Sequence, residues 1–169
     1  MTVLAQTGTQ SASMPRAEAF VRAGEQWLLA DDPSAAADDF LQAIADGGPV
    51  DVDPQVPLCR ALFQLDSKDE AYALIAKLKS QGRSDPRACE MMAELLLEQL
   101  DLPGALDWAT AGVELIVRAG GSVPAAEARS ISTAIADTDP DLDDLLRLRY
   151  RIRNDLRLPE DEYDRMLSA

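Results

Sequence analysis

The amino-acid sequence predicts an all-α fold built from stacked antiparallel helix pairs. One observation is a recurring pattern of small and large apolar residues, in which Ala36, Ala71 and Ala105 are equivalent and lie 35 and 34 residues apart. A second is the composition, which is 47% hydrophobic but only 5% aromatic and so favours helix formers over strand formers. A third is that no segment alternates between apolar and polar residues for long enough to predict a strand.

The first predicted helix pair lies near the amino terminus. Its first helix begins at Pro15, because proline is tolerated in the first turn, and runs to about Ala30. Residues 1–14 are small and polar without periodicity, and we expect a flexible tail there. The turn that follows ends at Ser34, the predicted N-cap of the second helix, which Gly47-Gly48-Pro49 terminates.

Two further pairs complete the repeated region. The turn that separates them, at residues 81–86, contains a glycine and a proline. The four predicted helices cover 54–65, 68–79, 87–100 and 103–119.

The carboxyl-terminal third does not continue the pattern. A helix is predicted over 123–136, and another begins at Pro140, with acidic residues in the first turn where the helix dipole favours them. We expect this last helix to cover the open end of the repeated region, and 160–167 to add one or two turns. The predicted organisation is a tail at 1–14, three helix pairs at 15–121 and C-terminal capping helices at 122–169.

The recurring pattern resembles the tetratricopeptide repeat, whose helix–turn–helix unit has a period of about 34 residues. The resemblance covers residues 16–119, and the proline that usually ends each unit is displaced to Pro49 and Pro86. The first copy has the closest match, with Phe20, Ala23, Gly24, Trp27, Ala36, Phe40 and Ala43. The second copy has Leu58, Cys59, Leu62, Ala71, Ile75 and Leu78, and the third has Met92, Ala93, Leu96, Ala105, Ala109 and Gly112.

The resemblance implies a right-handed α-solenoid of three repeats with C-terminal capping helices. Small residues at Gly24, Cys59 and Ala93 would let paired helices approach, and Trp27, Leu62 and Leu96 would fill the space between them. An ordinary helical bundle with alanine-rich helices is the alternative.

In this family the first helix of each unit lines a concave groove that binds partner proteins. The corresponding positions here are Val21, Glu25, Leu28, Val56, Arg60, Phe63, Glu90, Glu94 and Leu97. They include neither the lysine nor the asparagine with which one class of the family binds a C-terminal carboxylate. An apolar floor edged by glutamates suits an amphipathic helix or an extended peptide with basic residues. Alternatively, these side chains face solvent or pack on the C-terminal helix.

A second candidate surface is a run of arginines on the last long helix. Arginine binds carboxylate and phosphate bidentately, which makes the run a candidate contact for an anion or an acidic partner. The alternative is ion pairing with the chain's own acids, such as Asp143, Asp144 and Asp155. The run consists of Arg147, Arg149, Arg151, Arg153 and Arg157.

The residue content gives little support to catalysis. The chain has no histidine, which removes the commonest general base and metal ligand. It has no phosphate-binding or nucleophile motif, and its acidic pairs fit solvated turns and helix starts better than a metal site. We therefore expect no enzyme activity, cofactor or metal.

Net charge, cysteines and hydropathy restrict the class of partner and the cellular location that we expect. The net charge of −14 argues against general nucleic-acid binding and suits either a soluble protein or one whose partner is basic. Cys59 and Cys89 are expected as buried free thiols. Without a leader or an apolar run long enough to span a membrane, the expected location is cytoplasmic.

These observations predict a scaffold or adaptor that binds another protein. One alternative is a regulatory protein whose arginine-rich helix binds nucleic acid or another anion. The other is a substrate-recruiting subunit of a larger enzyme.

Overall fold

A computed structural model describes residues 14–83, 85–119 and 140–167. These residues form seven α-helices and one 3-10 helix, with no strand in the described ranges. The predicted all-helical class is therefore confirmed for them, while the solenoid arrangement stays a prediction.

The predicted helix ends agree with the observed ends to within two residues. The predicted helix at 123–136 lies outside the described residues, as do residues 1–13 of the predicted tail. The helices are α1 (Arg16–Leu29), α2 (Pro33–Asp46), α3 (Gln55–Gln64), α4 (Lys68–Gln81), α5 (Pro86–Glu98), α6 (Leu102–Ala119) and α7 (Pro140–Asp155), and the 3-10 helix is Asp164–Met166.

The cap of α2 differs from the prediction. Asp32, not Ser34, is the N-cap, and its carboxylate accepts a hydrogen bond from the backbone N–H of Ala35 at 3.0 Å. Proline at position 33 then occupies the first helical turn, where its missing N–H costs nothing. The helix ends as predicted, at Gly47, whose φ of 64° is left-handed and favours glycine.

The first of two compact units extends to Leu65 and contains α1, α2 and α3. The contact between α1 and α2 is close at Gly24, where an added Cβ would lie 2.5 Å from the ring of Phe40. Phe40 is completely buried and fills the space between the two helices. Trp27, predicted to fill that space, is instead 44% exposed, because Phe40 already occupies the position next to the glycine.

The second unit begins at Asp66 and contains α4 to α7. Helix α6 packs against both α5 and α7. At Gly112 of α6 the approach is close, since an added Cβ would lie 2.9 Å from Cδ1 of Leu145 on α7. The apolar cluster shared by these two helices contains Val113, Ile116, Leu142, Leu145 and Leu146.

The two cysteines are free and buried, as predicted. Burial raises the pKa of Cys59 to about 12 and that of Cys89 to about 11. At neutral pH both thiols are protonated and behave as small apolar core residues.

Candidate functional site

A cleft between α5 and α7, within the second unit, is the candidate functional site. It has a volume of about 460 Å³, within the range of ligand-binding clefts. Residues of both predicted surfaces meet in it, two from the predicted groove and two from the arginine run. This α5–α7 cleft is lined by Glu90, Glu94, Asp144, Arg147, Leu148 and Arg151.

Helical spacing places the lining side chains. Glu90 and Glu94 are four residues apart and share one face of α5. On α7, Asp144, Leu148 and Arg151 follow one another at intervals of four and three, which gives a single stripe. Burial of the opposite face of α7 against α6 fixes the helix so that this stripe lines the cleft.

The cleft is acidic around Glu90. Burial raises the pKa of this carboxyl group, and the negative charges of Glu94, Asp144 and Asp141 raise it further, against the smaller opposing effect of Arg87. Glu90 therefore sits where a negative charge is costly unless a cation comes close. Its interaction with Asp141 and Asp144 also places it beside the amino-terminal turns of α7.

The two arginines of the cleft differ in their partners. Arg147 donates a hydrogen bond from Nε to Oδ2 of Asp143 at 2.6 Å, a pair formed one turn apart on α7. Among the described residues Arg151 forms no hydrogen bond or ion pair, although three carboxylates line the same cleft. Leu148, which is buried, provides an apolar floor between the charged groups. The cleft thus presents both signs of charge around an apolar centre.

The predicted groove positions of α1 and α3 are not part of the cleft lining. Val21, Val56 and Phe63 are buried in the first unit, because their apolar side chains are packed in its core. The other three positions of these helices are Glu25, which is exposed, and Leu28 and Arg60, which are half-buried. On α5, Leu97 is half-buried and lies outside the cleft lining.

Two arginines of the run hold the carboxyl-terminal segment. Arg149, which is 3% exposed, donates from Nε to Oγ1 of Thr110 at 3.0 Å and from Nη1 to Oδ1 of Asp164 at 3.1 Å. Arg153 donates from Nε to Oδ2 of Asp164 at 2.9 Å, and both arginines pair with Asp161. The two arginines and two aspartates, Arg149, Arg153, Asp161 and Asp164, are called the C-terminal clamp below.

The clamp accounts for two arginines of the run, Arg149 and Arg153, whose partners the sequence did not identify. Ion pairing with the chain's own acids was one of the two interpretations, and Asp143 was among the acids named for it. Asp161 and Asp164 were not named, because they follow the helix break and pair with arginines 8 to 15 positions earlier, which helical spacing does not connect. Arg157 is exposed at the turn after α7, with a φ of 54°.

In the described ranges, no group of three or more acidic or thiol side chains could hold a metal ion. None of the helices described is both long and apolar enough to cross a membrane.

Comparison with models of known protein families finds no match, and neither does comparison with curated proteins.

Proposed function

We propose that this chain is a non-enzymatic tetratricopeptide-like protein that binds a segment of a partner protein in the α5–α7 cleft. The observation that supports this most directly is the cleft itself. Its apolar floor is surrounded by carboxylates and by Arg151, and among the described residues no hydrogen bond or ion pair joins Arg151 to these carboxylates. Such a surface is suited to a ligand that supplies the missing counter-charges.

The helix arrangement supports the repeat-like part of the proposal. In a stack of helix pairs, the helix after a complete pair packs on the second helix of that pair and borders the first. Helix α7 packs on α6 and borders α5 at the cleft, as a helix of a neighbouring unit would, with residues 120–139 between α6 and α7 in the sequence. The cleft then corresponds to one part of the concave face, which is the binding face of such stacks.

Binding also fits the chemistry of the cleft better than catalysis does. The lining offers carboxylates, guanidinium groups and a leucine, but no thiol or hydroxyl nucleophile. The thiols of Cys59 and Cys89 are buried with raised pKa values and are protonated at neutral pH.

Affinity capture from native cell extract, followed by quantitative mass spectrometry, tests the proposal. The test variant carries Glu94→Lys and Arg151→Glu, which reverse one charge of each sign and leave the net charge unchanged. The matched control carries Asp38→Lys and Lys77→Glu, at exposed positions outside the cleft lining. We expect a partner that the wild type and the control retain and the cleft variant loses. Identical capture by all three proteins, each with unchanged helical content, would contradict the proposal.

The alternative role in anion binding has less support. Arg149 and Arg153 are already bound by Asp161 and Asp164, so that the run offers fewer guanidinium groups to an outside anion. Recovery of an enzyme as the captured partner would instead support the role of a substrate-recruiting subunit.

A further inference from the structure

The α5–α7 cleft is polarised along its length. Its acidic end contains Glu90 and Asp144, with Asp141 close enough to influence Glu90. Arg151 lies seven residues after Asp144 on the same stripe of α7, which at 1.5 Å per residue is about 10 Å further along the helix. Between them lie the buried Leu148 and Arg147, which is paired with Asp143, and Glu94 adds a carboxylate from α5.

This polarity restricts the charge pattern of a ligand. A uniformly basic segment would place a cation beside Arg151, and a uniformly acidic segment would place an anion beside Glu90 and Asp144. Like charges brought together in a partly desolvated cleft oppose binding. A cation at the acidic end would offset the mutual repulsion of the carboxylates, and a carboxylate at the other end would give Arg151 a counter-charge.

The spacing indicates the separation of the two ligand charges. A polyproline II segment has three residues per turn and a rise of 3.1 Å, so that residues i and i+3 lie on one side about 9 Å apart. That distance is close to the separation of about 10 Å along α7. The residues between the two charges would pass over Leu148, where an apolar side chain is favoured.

We propose that the cleft binds an extended peptide segment with one basic and one acidic side chain three residues apart. The basic side chain contacts Glu90 and Asp144, and the acidic side chain contacts Arg151. This inference rests on the proposed function and deepens it by defining the class of peptide.

Selection of peptides from a random library displayed on phage tests this inference on the full-length protein. The wild type should enrich peptides with a basic and an acidic residue three positions apart. The Arg151→Glu variant should enrich peptides in which the acidic position has become basic. The control variant Lys77→Glu has an equal change of net charge outside the cleft, and it should enrich the wild-type pattern.

A double-mutant cycle with the enriched peptide tests whether its acidic residue contacts Arg151. Replacing its acidic residue by glutamine should weaken binding to the wild type about tenfold, equivalent to about 1.4 kcal/mol. The same replacement should change binding to the Arg151→Gln protein by less than about twofold, because the interaction is already absent there. Equal weakening for both proteins would place the acidic side chain elsewhere and overturn the inference.

Failure of this inference differs from failure of the proposed function. Enrichment without the charge pair, an Arg151→Glu variant with wild-type preference, or no enrichment would each overturn the inference. A native partner that depends on the cleft but lacks the charge pair would preserve the proposed function and reject only this inference. Enrichment of the charge pair, together with partner capture that ignores the cleft variant, would reject the proposed function alone.

Discussion

At the scale of single residues, Glu90 is held in the cleft at a cost to stability. Its folded-state pKa is raised, first by burial and then by neighbouring carboxylates, whereas an unfolded glutamate has a pKa of about 4.3. The contribution of Glu90 to stability is therefore greatest below its unfolded pKa and falls as pH rises through its folded pKa. A cost in stability at a half-buried position that lines a cleft is typical of residues that serve binding.

We expect Glu90→Gln to raise the melting temperature near pH 7, because the amide removes the repelled charge. The gain should shrink toward about pH 4, where the wild-type carboxyl group is increasingly protonated. Thermal unfolding followed by circular dichroism at both pH values measures this, with the exposed Glu160→Gln as the control. A lower melting temperature for Glu90→Gln at neutral pH would show that its charge is compensated.

The stability of a Phe63 variant distinguishes a core position of this residue from a groove position. Phe63 is 8% exposed, which favours the core, although the resemblance to the tetratricopeptide repeat predicts a groove position for it. We expect Phe63→Ala to cost roughly 3–5 kcal/mol of stability, as large-to-small changes in cores do. Urea unfolding would measure this, with Leu29→Ala, at a site that is 81% exposed, as the control. Near-normal stability of Phe63→Ala with loss of partner capture would instead support the predicted groove position of Phe63.

At the scale of elements, the C-terminal clamp attaches the segment after α7 to the second unit. Tyr163, Met166 and Leu167 pack on the apolar cluster of α6 and α7, and the guanidinium group of Arg149 lies 4.9 Å from the ring of Tyr163. Because Arg149 and Asp164 are both buried, removing Arg149 takes away one of the two guanidinium partners of Asp164 and leaves it with Arg153 alone.

We expect Arg149→Met to destabilise the protein by about 1–3 kcal/mol, because Asp161 and Asp164 lose a buried hydrogen-bond donor but keep Arg153. Arg157→Met, at an exposed position of the same helix end, should change stability by no more than about 0.5 kcal/mol. Urea unfolding gives both values, and hydrogen exchange should show faster exchange at 156–167 in the Arg149→Met protein. Equal stability of the two variants would mean that the clamp contributes nothing net.

The clamp should also loosen in acid. Burial alone would raise the pKa of Asp161, but hydrogen bonds from Arg149 and the backbone N–H of Asp164, with the charges of both arginines, lower it overall. A lowered folded pKa gives stability that is present above the unfolded value, about 3.9, and is lost as pH falls through the folded value. Exchange at 156–167 should therefore accelerate below about pH 4 relative to α2.

The elements were the most predictable level of this structure. Proline and glycine mark helix ends, and the 3.6-residue apolar spacing marks helices, so local sequence defines both. Side-chain partners were less predictable, since Arg149 and Asp164 meet only after the chain reverses beyond Pro159. For the cleft, Glu90, Glu94, Arg147 and Arg151 were each identified, but on two separate surfaces. Their meeting depends on α7 packing beside α5, which no local pattern encodes.

At the scale of the whole molecule, we expect the net charge of −14 to affect the association rate of the proposed partner. Exposed charges act over a Debye length of about 10 Å at 0.1 M salt, whereas contacts in the cleft act after docking. An acidic surface accelerates the approach of a basic partner, and this long-range attraction influences association more than dissociation. On the proposed function, the polarised cleft would then determine which segment remains bound. Long-range charge and local charge pattern should therefore affect different rate constants.

The partner recovered by affinity capture allows this separation to be measured. Asp31→Asn, Asp38→Asn, Asp69→Asn and Glu160→Gln together reduce the net charge from −14 to −10 at exposed positions outside the cleft lining. We expect this variant to bind the partner with a slower association rate and an unchanged dissociation rate, whereas Arg151→Gln should mainly accelerate dissociation. Surface plasmon resonance at about 0.05 M and about 0.5 M salt would also show association slowing as salt screens the charge. Salt-independent association, or faster dissociation from the four-substitution variant, would mean that the acidic surface contacts the partner directly and does not merely attract it.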